Sequence, residues 1–66
     1  MATDAQDRGR FRTKQKVRLT VDRGGVTAGA TGKVVMVTGQ TWVRYRVRFD
    51  DGSELGLLDE RYLEEV

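Results

Sequence analysis

The sequence predicts an all-β domain: a small barrel of five short strands behind a basic N-terminal arm. Three observations predict it. The run 42–49 alternates Val43, Tyr45, Val47 and Phe49 with Trp42, Arg44, Arg46 and Arg48. Successive side chains of a strand point to opposite faces, so this run has one apolar and one cationic face, whereas a helix would scatter both sets around its circumference. Turn signals separate the short apolar runs, at Gly24-Gly25, Gly39 and Asp51-Gly52. No stretch has the length and period of a long helix, and the absence of proline leaves every strand free to pair.

In chain order, residues 1–14 have no apolar periodicity and read as a flexible arm, with the barrel spanning 15–66. Arg8, Arg10, Arg12, Lys14, Lys16 and Arg18 fall at every second position, a cationic edge in an extended chain, with Phe11 pointing the other way. Such an arm either folds onto nucleic acid or an acidic protein, or is a solubilising tail. Strand one is expected over 16–21, with Val17, Leu19 and Val21 facing in, and it ends at Asp22-Arg23-Gly24-Gly25. Val26, alone in the next loop, is placed to cap the open end of the core. Gly29 and Gly32 flank the start of strand two, 34–38. That strand is apolar on both faces, which requires either cover on both sides or a bend.

Residues 38–41 form a turn into the central strand, and Asp50-Asp51-Gly52 is a hairpin turn out of it. Strand four is expected over 53–58, with Leu55 and Leu57 on one face and Gly56 leaving room on the other. Asp59 can cap a single helical turn through Tyr62. Leu63 and Val66 then return a fifth strand to the core.

Composition narrows the chemistry. Sixty-six residues make one domain. Without Cys or His there is no disulfide, no thiolate zinc site, and no imidazole base or ligand. No apolar run approaches the roughly 20 residues that span a bilayer, and the N-terminus lacks an h-region, so a soluble cytoplasmic protein is expected. The net charge of +2 divides into +8 over 1–48 and −6 over 49–66. Charge sorted in this way can draw an anionic partner to one side, or the two segments can screen one another.

Several runs carry a resemblance: KVRLTV at 16–21, GATGKVVMV at 29–37, VRFDDG at 47–52 and LEEV at 63–66. Together they resemble the SH3-like barrels with a KOW-type glycine–valine turn. The layout is also similar to the barrels of photosystem I subunit IV, the ferredoxin–thioredoxin reductase variable chain and the nitrile hydratase β-subunit. The resemblance covers about residues 15–66. It implies the fold and leaves function open, because proteins of this layout bind RNA, dock electron-transfer proteins or assemble as enzyme subunits. The ending Leu63-Glu64-Glu65-Val66 is also similar to that of the type II dihydrofolate reductases. Aligned by their ends, however, Leu55-Gly56-Leu57-Leu58 occupies the place of their ligand-contacting Gln and Tyr, which argues against that enzyme.

No catalytic set emerges from the residues. Ser53 is the only serine and has no His or Cys to activate it. Asp50, Asp51 and Glu54 are too few and wrongly spaced for a calcium loop. The glycine-rich segment ending Gly32-Lys33 opens a strand, whereas a phosphate loop must open a helix. No cofactor is called for. What remains is the outer face of the central strand, where Arg44, Arg46 and Arg48 project about 6.5–7 Å apart. Trp42 can stack there, and Lys33, Lys16 and Arg18 extend the patch. Those arginines can instead pair with Glu54, Glu64 or Glu65 on neighbouring strands. The expectation is a non-enzymatic module binding RNA or DNA through backbone charge. The alternative is an accessory subunit that docks an acidic protein or self-associates.

Overall fold

A computed structural model describes residues 10–66 as an all-β unit. The strands are β1 (Lys16–Leu19), β2 (Thr31–Thr38), β3 (Arg44–Phe49), β4 (Glu54–Leu58) and β5 (Leu63–Glu65). A single 3-10 turn, Glu60–Tyr62, separates the last two, with Asp59 capping it as its side chain suggested. All pairings are antiparallel, in one sheet of order β4-β3-β2-β1-β5. β4 and β5 are the two edges, joined through the 3-10 turn and not by a ladder among the described residues. Leu58 from one edge and Leu63 from the other nevertheless share a core with Val17, Val34 and Val47, so the sheet curls around it. No helix among the described residues is long and apolar enough to cross a membrane.

Alternation decides the inside where it is unbroken. Tyr45, Val47 and Phe49 of β3 are buried, as are Val17 and Leu19 of β1. Val26 is buried over the core from its loop. That loop turns at Gly24 and Gly25, which have φ of 56° and 84°. Two consecutive positive φ angles make the tight two-residue turn that only glycine enters readily, and Arg23 and Val26 exchange both backbone hydrogen bonds across it at 2.9 Å.

Two β-bulges break the simple pattern. Between β2 and β3 the pairs are Val34↔Val47 and then Met36↔Arg46, so Val35 is an extra residue. The bulge turns both Val35 and Met36 away from the core and returns Val37 to it, which resolves the doubly apolar run without a second covering layer. Between β3 and β4 the pairs are Tyr45↔Leu58 and Val47↔Leu55, so Gly56 and Leu57 together face Arg46. The expectation that Leu55 and Leu57 share a face therefore fails. Leu55 packs against the core, Leu58 is buried, and Leu57 is 67% exposed.

Strand ends also differ from expectation. β1 ends at Leu19; the Thr20 amide still donates to the Tyr62 carbonyl in the β1–β5 register, and Val21 beyond it is exposed. β2 starts at Thr31, with Gly32 inside the strand. A Cβ on Gly32 would lie 2.3 Å from the Arg48 carbonyl oxygen, so β3 crosses where only glycine fits. Val66 is exposed and adds nothing to the core.

The end of the arm differs from expectation at one residue. Residues 1–9 of the expected arm lie outside the described residues. Within residues 10–14, expected to be flexible, Phe11 is packed while Arg10, Arg12 and Lys14 are exposed. Phe11 is 1% exposed and meets the Tyr45 ring edge-on, at 5.5 Å between centroids. The Phe11 amide donates to the Tyr45 hydroxyl at 3.3 Å. Past a turn at Arg12–Gln15, the Lys14 amide donates to Val34 O, and the Val34 amide donates to Gln15 O, extending the β1 edge along β2. Burial of one aromatic ring draws the segment onto the core, while its charged neighbours keep their contact with water.

Candidate functional site

The register places the predicted cations on one surface. Residues paired across a ladder point to the same side. Lys16 pairs with Lys33, Lys33 with Arg48, and Arg48 with Glu54, giving one exposed row across four strands. Adjacent strands are about 4.8 Å apart. Like charges at that distance repel, and the row persists because water screens exposed ammonium and guanidinium groups. Lys16 and Lys33 form no ion pair among the described residues.

The arginines do meet the acidic edges. Glu54 accepts from Arg48 Nε at 3.0 Å and from Arg46 Nη1 at 3.3 Å, and its Oε2 lies 2.9 Å from Arg48 Nη2 in an ion pair. The Arg48 hydrogen bond above all, with lesser help from Arg46, holds the Glu54 carboxyl below its usual range, against the opposing effect of desolvation. Gly56 makes this possible: the Arg46 guanidinium lies over it, and a Cβ there would be 3.1 Å from Arg46 Nη2. On the other edge, Arg18 Nη1 meets Glu64 Oε2 at 2.8 Å. Glu65 instead accepts from Gln15 Nε2 at 3.1 Å. One carboxylate shared by two arginines leaves a cationic surplus, so β1–β3 present a positive face bordered by acidic edges.

Trp42 stands apart from this row. It precedes β3 instead of lying within it, and it is 60% exposed. Its Nε1–H donates to Asp59 Oδ2 at 3.0 Å. The Arg61 amide donates to the other oxygen, Asp59 Oδ1, at 3.2 Å. Trp42 first, then the Arg61 amide, keeps the Asp59 carboxyl ionised below its ordinary range. The Arg44 guanidinium stacks 4.1 Å from the Trp42 ring centroid.

Trp42, Arg44 and Asp59 line a shallow groove of about 320 Å³. Tyr62 also lines the groove, with the Arg23 guanidinium 4.6 Å and the Arg61 guanidinium 5.4 Å from its ring centroid. Leu57 forms part of the groove with its side chain exposed and its backbone at φ 58°. A non-glycine residue in that left-handed region costs about 1–2 kcal/mol. Here the strain is sustained by the bulge and exposes an apolar side chain to water. Among the described residues, no cluster of three or more acidic side chains could hold a metal ion.

No family model matches the chain, and neither the curated proteins nor the solved structures provide a match. The surface must therefore be read from its own chemistry. The structure brings together Lys16, Lys33, Arg46 and Arg48, while Arg18 sits at the β5 edge and Trp42 with Arg44 belongs to the groove. Arg23, Leu57, Arg61 and Tyr62 were not among the predicted site residues. Local signals pointed only to a turn at Arg23 and a helical turn ending at Tyr62, because it is the fold that joins these segments.

Proposed function

We propose that this chain is a non-enzymatic, SH3-like binding module that engages nucleic acid through its cationic sheet face. The observation supporting this is the exposed row Lys16–Lys33–Arg48, continued along β3 by Arg46 and Arg44. Strand geometry sets the β3 arginines about 6.5–7 Å apart, close to the spacing of successive phosphates along a strand. Guanidinium groups grip phosphate oxygens in pairs, and the lysines supply point charge. Glu54 holds Arg46 and Arg48 extended and ready, and a phosphate can compete for their remaining N–H donors. Contacts of this kind position a backbone without reading sequence. A chain without cysteine is suited to a reducing, cytoplasmic setting.

The test is fluorescence anisotropy of labelled oligonucleotides against salt. Log affinity should fall linearly with log salt, and Lys33→Gln should reduce the slope by about one. No binding at low salt refutes the proposal.

A second reading is favoured by Met36, half exposed beside Arg46 in the middle of the charged face. An apolar side chain there suits docking of an acidic protein, or self-association in which the basic β1–β3 face of one copy meets the acidic edge of another. Sedimentation across ionic strength separates the readings: a dimer that dissociates as salt rises supports self-association.

A further inference from the structure

We infer that the groove lined by Trp42 and Tyr62 is a base-stacking subsite, and that it gives the protein a preference for single-stranded over duplex nucleic acid. The inference rests on the nucleic-acid reading of the sheet face and locates the bases relative to it. Base stacking needs an exposed aromatic surface held in a fixed orientation. Trp42 meets both needs: it is 60% exposed although the Arg44 guanidinium covers one side of its ring, and its indole N–H is tethered to Asp59 at 3.0 Å. Leu57 adds an apolar surface at the same groove, held outward by its left-handed backbone.

Charge selects the occupant. Arg23, Arg44 and Arg61 border the groove, and its one carboxylate, Asp59, is already engaged by the Trp42 indole and the Arg61 amide. An occupant with flat apolar rings linked by anionic groups satisfies both the aromatic and the cationic parts. The groove is also continuous with the basic face, because Arg44 belongs to both. From Arg48 to Arg44 the strand advances about 13 Å, roughly two nucleotides of an extended backbone. Phosphates lying on β3 would thus deliver a splayed base to Trp42. In a duplex the bases are stacked on one another and cannot enter.

Trp42 is the only tryptophan, so its emission reports the event directly. The experiment titrates the full chain with an oligothymidylate of about 12 nucleotides and with a duplex of equal length at one salt concentration. Trp42 emission should be quenched by the single strand, which should bind more tightly than the duplex. Trp42→Ala should weaken single-strand binding roughly 5- to 100-fold and duplex binding by no more than about twofold. Leu57→Gly suits the positive φ and should keep the fold, by circular dichroism, while also weakening single-strand binding.

Equal affinity for the two forms, or variants that weaken single-strand and duplex binding equally, would overturn the subsite while leaving the cationic-face proposal intact. Absence of binding to either form at low salt would remove both. Quenching of Trp42 by an acidic peptide, with no response to oligonucleotides, would reassign the groove to a protein partner.

Discussion

Replacing Phe11 by alanine tests whether the N-terminal segment belongs to the core. Phe11 is 1% exposed, and its ring meets Tyr45 at 5.5 Å with an interplanar angle of 73°. Truncating a buried phenylalanine to alanine costs about 3–5 kcal/mol in lost burial and residual cavity. Edge-to-face pairing accounts for about 0.5–1.5 kcal/mol beyond area alone. Stability near 0.1 kcal/mol per residue sets the whole domain at about 6 kcal/mol, so the substitution should remove half of it or more. In urea, with a slope near 1 kcal/mol/M, the midpoint read by circular dichroism should fall by about 3 M. Phe11→Leu retains most of the volume and should cost about 1 kcal/mol. A loss below about 1 kcal/mol for Phe11→Ala would mean that the segment is not part of the folded unit, and the packing argument would be wrong.

Three further outcomes follow from the geometry. Gly32→Ala places a Cβ 2.3 Å from Arg48 O and 2.7 Å from Phe49 Cα, both backbone atoms, so β2 and β3 must separate. It should destabilise the fold by about 1–3 kcal/mol or more in the same urea assay, and a neutral result would contradict so close an approach of the two strands. The Glu54 carboxyl, depressed chiefly by Arg48, should titrate below its ordinary value of 4.5 when followed by NMR, and Arg48→Ala should raise it. Because the folded state binds this proton less readily than the unfolded state, the contribution is present above that value and lost as pH falls through the depressed one; an unchanged titration in Arg48→Ala would rule out the cause. Leu57→Gly relieves the left-handed strain at φ 58° and should leave stability unchanged or raise it by up to about 1 kcal/mol, as measured by thermal denaturation.

Strand positions were legible because side-chain alternation is a local property. Val43 to Phe49 and Val17 to Leu19 carry their inside and outside within a few residues, and Asp51-Gly52 or Gly24-Gly25 mark turns by their own backbone preferences. The bulges were not legible. Whether Val35 or Leu57 is the extra residue depends on which partner strand lies alongside, and a shift of one residue reverses every later side chain. For the same reason Val21, Leu57 and Val66 look like core residues in the sequence and are exposed in the fold.

Sequence by itself determined an all-β chain with a cationic central strand and no residues for imidazole or thiolate chemistry. Tertiary structure alone decided how those cations are used. Arg46 and Arg48 converge on Glu54 because β4 arrives with a bulge and Gly56 leaves space for a guanidinium. Arg23, from the first loop, meets Tyr62, from the last turn, and Trp42 is tied to Asp59 across the groove. Phe11 leaves its charged neighbours in water and completes the core. The Glu54 contacts close a hairpin, with partners six and eight residues apart, but the Trp42, Tyr62 and Phe11 contacts join segments distant in the chain, and their meeting depends on the whole fold rather than on any window of it.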